Sequence, residues 1–126
     1  MLEVLKKLRI KEGGTVLHVP SDMDQAFAKL GFRNALERKA KSTQTLVFLR
    51  NSAELLTFLK NDLPHIEPDS LLWLAYPKGS SKVKTDINRD TIRVTGEEFG
   101  ITTVTAVSID DTWSALRFRP TDRVGT

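Results

Sequence analysis

The chain has 126 residues, of which 40% are hydrophobic and 28% charged, and a formal net charge of +3. This length suits one domain over residues 1–126 with a sizeable core, and the composition excludes a disordered, collagenous or coiled-coil chain. Cysteine is absent, which removes disulfide frameworks, thiol nucleophiles and the thiolates that dominate structural zinc sites.

Leu2, Leu5 and Leu8 recur at helical spacing and predict an opening helix over residues 2–9, broken by Glu12-Gly13-Gly14. The segment is amphipathic, without the apolar core of a signal peptide, and no run reaches the ~20 residues of a membrane span. A cytoplasmic chain with no membrane partner is the expectation. Residues 15–19 read as a short buried strand stopped by Pro20. His18 alternates with apolar neighbours there, which predicts a buried, hydrogen-bonded histidine. Ser21 is a good N-cap with Asp24 behind it, ahead of Met23, Ala26, Phe27 and Leu30 at helical spacing. Gly31 supplies the stop.

Residues 32–44 are polar and show no period. Leu46-Val47-Phe48-Leu49 is the second strand. Asn51 and Glu54 form a second cap pair, opening a helix with the stripe Leu55, Leu56, Leu59 and Leu63, closed by Pro64. Pro68-Asp69 predicts a turn. Residues 71–76 are apolar throughout, as in a strand covered on both faces, and Pro77 ends it. A polar loop over 78–85 leads to a fourth helix over 87–99, closed by Gly100. Residues 102–109 and 113–119 are rich in β-formers and separated only by Asp110-Asp111-Thr112, a hairpin signal.

Alternating helices and strands imply right-handed parallel crossovers, and the last loop is too short for one. The expected fold is α/β. It is a single three-layer open sheet of about five strands, mainly parallel, with a C-terminal antiparallel hairpin.

Two stretches carry a resemblance. One is Leu72-Trp73-Leu74-Ala75-Tyr76-Pro77-Lys78 followed by Lys84-Thr85-Asp86, and the other is Ala106-Val107-Ser108-Ile109-Asp110-Asp111-Thr112-Trp113-Ser114-Ala115-Leu116. Together they resemble a family of short bacterial proteins built on a domain of unknown function. Its members share a strand ending in aromatic-Pro-Lys, a Thr-Asp pair, and an acidic hairpin followed by Trp-Ser. Residues 5–20 fit the opening helix and first strand of that family, and residues 33–42 match nothing in it. The family layout is similar to a trimmed class I S-adenosylmethionine-dependent methyltransferase. The likeness runs from the second strand through the third and into the closing hairpin. The resemblance implies a methyltransferase-like fold and brings no activity with it.

Methyltransferases of that class place a Gly-rich turn after the first strand, so that backbone approaches the cofactor closely. Here the turn is Val19-Pro20-Ser21-Asp22, without glycine. They also close the second strand with an acidic residue that holds the ribose hydroxyls. Residues 32–44 offer only Glu37 and little room for two further strands. No cofactor is expected.

Other chemistries fit less well. No Gly-x-Ser-x-Gly elbow exists, so Ser21 and Ser114 are unactivated, and Pro20 breaks any helical register between His18 and Asp22. His65, between Pro64 and Pro68, is expected to be exposed. Two histidines and no cysteine predict no metal site. Asp110 and Asp111 suit either paired acid–base work or turn geometry, and a hairpin loop favours the turn. Trp73 and Trp113 suit either a ligand wall or the core, and their apolar strands favour the core. Ten basic against five acidic side chains in residues 1–50 include the run from Arg33 to Lys41, which holds no aromatic. That predicts a solvated face, and nucleic acid is not an expected partner.

Ligands of open α/β sheets bind beyond the carboxyl ends of the strands. Ser21, Asn51 and Lys78 each follow such an end, and helix N-termini there favour anions. The candidate site for a small anionic ligand is therefore Ser21, Asn51, Lys78, Lys82, Lys84, Thr85 and Arg89. Lys78 is expected to project near the helices opening at Ser21 and Asn51. The function expected first is a small cytoplasmic α/β binding or accessory domain without catalysis. One alternative is an enzyme acting on a small phosphorylated or carboxylated metabolite at that edge. Another is a protein-interaction module using the opening helix or the terminal hairpin.

Overall fold

The apolar run Leu71 to Tyr76 can be shielded from water only by layers on both sides of its strand. In the computed structural model, which describes residues 1–37 and 39–124, it forms the C-terminal half of β3 (Ile66–Pro77). β2 (Ser42–Phe48) pairs with β3 in parallel, and β1 (Thr15–Leu17) pairs with β2 in parallel. β5 (Trp113–Pro120) pairs antiparallel with both β3 and β4 (Ile101–Ser108). The result is the mixed five-stranded sheet expected, in the order β1-β2-β3-β5-β4.

Alternation along β3 sends Leu72 and Leu74 to one core and Trp73 and Ala75 to the other. The first core meets α3 (Ser52–Thr57) and α4 (Arg89–Glu97) through Leu55 and Ile92. α3 runs on through a π-helical stretch, Phe58–Asp62, whose Phe58 and Leu59 share that core. A 3-10 turn, Leu63–His65, follows. The second core meets α1 (Leu2–Leu8) and α2 (Asp24–Lys29) through Leu5, Leu8 and Phe27. The Trp73 indole N–H donates to the carbonyl of Leu8 at 2.9 Å, which ties the end of α1 to the central strand. Trp73 and Trp113 are both core residues, at 2% and 6% exposure.

Several local expectations are corrected. Leu2 and Leu56 are exposed, so the apolar stripes of α1 and α3 are narrower than their leucines suggest. α2 begins at Asp24, with Met23 at its N-cap and no side-chain cap, so Ser21 caps nothing. A turn closed by Met23 N–H donating to the Pro20 carbonyl at 2.9 Å takes up the residues before it. His18 is exposed and sits at φ 58, a left-handed conformation that ends the strand alternation at Leu17. β2 starts at Ser42, not Leu46. α4 is shorter than residues 87–99, because Asn88 and Thr91 close a capping box before Arg89.

Pro68 and Asp69 lie inside β3, where pairing steps from Ser42–Ile66 to Gln44–Leu71. The bulge is held at Asp69, at φ 57, by a two-bonded Arg119 fork of 2.7 and 3.1 Å. That guanidinium holds the Asp69 carboxyl below the usual carboxylate range. Beyond β1, one parallel bridge joins Thr15 to Arg33, with Val16 N–H donating to the Arg33 carbonyl at 2.8 Å. No strand grows from it among the described residues before Ser42. The segment's charged and helix-favouring residues suit a ladder poorly. Of the basic run, Arg33 pairs with Glu37, Lys39 and Lys41 are exposed, and Arg38 lies outside the described residues.

Candidate functional site at the carboxyl edge

β1, β2, β3 and β4 all end at one edge of the sheet, because β4 is antiparallel to a strand that is itself antiparallel to β3. The chain reaches this edge with His18 after β1, Arg50 and Asn51 after β2, Lys78 after β3 and Ser108 at the end of β4.

Asn51 is the N-cap of α3, in extended backbone, and its Oδ1 accepts from Glu54 N–H at 2.9 Å, as its spacing predicts. Glu54 reaches back one residue further than a capping box requires, accepting from Arg50 N–H at 2.8 Å. The loop after β3 then returns to the same place. Thr85 donates its hydroxyl to the Arg50 carbonyl at 2.7 Å and accepts from Ile87 N–H at 3.2 Å. Asp86 accepts from Ser52 N–H at 2.8 Å and from the Ser52 hydroxyl at 2.6 Å. An internal carboxylate therefore stands where an anion would meet the first turn of α3.

The same contacts fix its chemistry. The Ser52 hydroxyl and N–H hold the Asp86 carboxyl below the usual carboxylate range. A carboxylate stabilised in that way is a weak base, so it does not activate Ser52 as a nucleophile. The linkage has a definite sign. A group with a depressed folded-state pKa adds stability above its unfolded value, about 3.9, and loses it as pH falls through the folded value. The gap in urea midpoint between the wild type and Asp86→Ala should be constant near neutrality and close below about pH 4. A gap unchanged down to about pH 2 would contradict the Asp86–Ser52 contact.

Lys78 turns the other way. Its N–H donates to the Thr112 carbonyl at 2.7 Å, and its ammonium donates to the Ser108 hydroxyl at 2.6 Å. It braces the β4–β5 hairpin, whereas the sequence suggested a reach toward α3. Asp110 serves the hairpin too, its Oδ1 accepting from Thr112 N–H at 2.8 Å and Trp113 N–H at 2.7 Å. This is the turn role expected for it. The Arg50 guanidinium carbon lies 5.7 Å from the centre of the Trp113 ring.

Of the seven candidate residues, Asn51 and Thr85 meet around Arg50, and Lys78 stands at the hairpin. Ser21, Lys82, Lys84 and Arg89 are exposed, and no side-chain hydrogen bond or ion pair among the described residues joins them to the others. The sequence reading missed a cleft of about 330 Å³ beside β1, lined by Leu17, His18, Asn34, Leu36, Asp62 and His65 among others. Both histidines of the chain stand on its wall, one after β1 and one before β3. They flank opposite ends of parallel strands, so no local pattern in the sequence announces their meeting. Among the described residues no group of three His, Cys, Asp or Glu side chains is placed to hold a metal ion.

No family profile matches the chain, and no curated protein matches it. Solved structures do. A SAM-dependent methyltransferase from Aquifex aeolicus aligns over 93% of this chain and 87% of its own, at 18% identity and a TM-score of 0.55. A protein of the NADB-Rossmann superfamily from Streptococcus agalactiae aligns over 94% of this chain and 68% of its own, at 13% identity and a TM-score of 0.52. LepI, solved in complex with SAM, aligns over 94% of this chain but 39% of its own, at 12% identity and a TM-score of 0.50. At such identities the likeness is one of fold: the chain has a methyltransferase-like, Rossmann-type α/β layout.

Proposed function

We propose that this chain is a binding or accessory domain on a methyltransferase-like scaffold and does not transfer methyl groups. The observation that carries the reading is the occupied carboxyl edge, where Asp86 takes the Ser52 donors at the start of α3. Two further features support it. The turn after β1 carries His18, Val19 and Pro20 where close cofactor approach calls for glycine. One bridge at Arg33 stands beside β1 in place of a further strand that could carry a ribose-holding acid. Two structural neighbours are described with SAM, and this chain shares their layout.

The competing reading is an enzyme for a small phosphorylated or carboxylated metabolite held by Lys78. Phosphate separates the two. A ligand that binds the native state raises its stability by RT ln(1 + [L]/Kd). With Lys78 committed to Ser108, any shift in melting temperature by phosphate should be the same in wild type and Lys78→Ala. Chloride at equal ionic strength controls for screening. A phosphate response present in wild type and lost in Lys78→Ala would favour the metabolite enzyme.

A further inference from the structure

The face of the sheet opposite α3 and α4 holds a second cleft, away from the carboxyl edge. Trp113 and Ala115 point to the α1 side of β5, so alternation places Arg117 on that side as well. α1 ends at Leu8, and Lys7 and Arg9 stand at its end. These cations, with Trp73 of β3 and Thr105 and Val107 of β4, line a cleft of about 330 Å³.

The lining holds three cations and no carboxylate. Lys7, Arg9 and Arg117 have no ion pair and no side-chain hydrogen bond among the described residues. The Nε of Arg117 is buried without a partner. A buried guanidinium N–H without an acceptor is costly and uncommon in folded proteins. Neither the carboxylate coupled to Arg117 nor the one on α1 answers it. Asp69, whose charge couples weakly to Arg117, is held in the Arg119 fork, and Glu3 on α1 forms no ion pair among the described residues. Cations in the last turn of α1 suit its dipole, but that account leaves out Arg117, which comes from the sheet.

We propose that this cleft binds a small organic phosphate, with the phosphate against Arg117, Lys7 and Arg9 and its apolar part against Trp73 and Val107. A dianion matches three cations better than a monoanion does, and a guanidinium presents a fork suited to phosphate oxygens. Both walls belong to regular elements, the end of α1 and the strands β3 to β5, so the backbone that carries the cations is set before the ligand arrives.

The test is an NMR titration with phenyl phosphate and, separately, inorganic phosphate, in which the Thr105 and Val107 amide resonances report affinity in every variant and the wild type is also followed at the Arg117 Nε–Hε resonance. These resonances should move saturably, and phenyl phosphate should bind more tightly than inorganic phosphate. Arg117→Met keeps the apolar stem and should weaken binding by about tenfold or more, as expected when a charged hydrogen-bonding partner is lost. Lys7→Gln, at an exposed position of α1, should weaken it too, which guards against a folding defect in the first variant. Lys60→Gln, on the opposite face, should leave it unchanged. The proposal is overturned by the absence of a saturable shift up to about 10 mM, by the same shift from chloride at equal ionic strength, or by wild-type affinity in both cleft variants. An oligonucleotide binding more tightly than phenyl phosphate would overturn it in favour of a polymer ligand.

Discussion

Leu74→Ala should lower the free energy of unfolding by about 2–5 kcal/mol. Leu74 is 0% exposed, and its neighbours across the ladder are Val47 on β2 and Leu116 on β5, both also 0% exposed. Truncation removes buried methyl groups from the middle strand of the sheet. The hole is bounded by two hydrogen-bonded partners and by the α3 and α4 layer, so little can move in to fill it. The expected loss is a large share of a domain's typical ~5–15 kcal/mol. Urea denaturation should show a lower midpoint with an unchanged slope. Val94→Ala, on the exposed face of α4, should stay within about 0.5 kcal/mol of wild type. A Leu74→Ala midpoint equal to wild type would mean that this strand is not the centre of the sheet.

The second large effect opposes a helix propensity. Gly96 lies within α4, where alanine is intrinsically better by about 1 kcal/mol. A Cβ built there would lie 2.8 Å from the Phe118 ring and 3.4 Å from both the side chain and the carbonyl of Ile101. Phe118 is 1% exposed in the core, so its ring has little room to withdraw. Overpacking of this kind costs about 1–3 kcal/mol. Steric cost should therefore win at this contact, and Gly96→Ala should destabilise by up to roughly 2 kcal/mol net. The cause is checkable by a double-mutant cycle with Phe118→Leu. Gly96→Ala should cost clearly less when Phe118→Leu is already present, and additive costs would remove the clash as the explanation.

Features set by local spacing were legible in the sequence. The apolar run from Leu71 to Tyr76 announced the central strand, Asn51 its cap on Glu54, and Asp110 the turn before Trp113. Features set by a distant partner were not. Pro68-Asp69 has the chemistry of a turn, but Asp69 is held inside a bulged strand by Arg119, 50 residues away. Thr85 reads as a ligand-facing loop residue, while its partner, the Arg50 carbonyl, lies 35 residues earlier, and Ser52, the partner of Asp86, lies 34 residues before it. Pro77 does fix where Lys78 leaves β3, yet the choice of Ser108 depends on how the hairpin folds back. His18 failed for a different reason. Its alternation with apolar residues is genuine, but a positive φ carries it out of the strand, a conformation in which histidine is enriched yet still uncommon.

Isothermal calorimetry with S-adenosylmethionine tests the central claim most directly. On the proposed reading, the scaffold is methyltransferase-like while its cofactor edge is closed by the chain's own groups. No saturable heat is then expected for a dissociation constant at or below roughly 0.1 mM, about −5.5 kcal/mol. Opening the edge with Asp86→Ala should not create such binding, because the turn after β1 still lacks glycine. Saturable one-to-one binding of S-adenosylmethionine to the wild type at or below roughly 0.1 mM would contradict the claim.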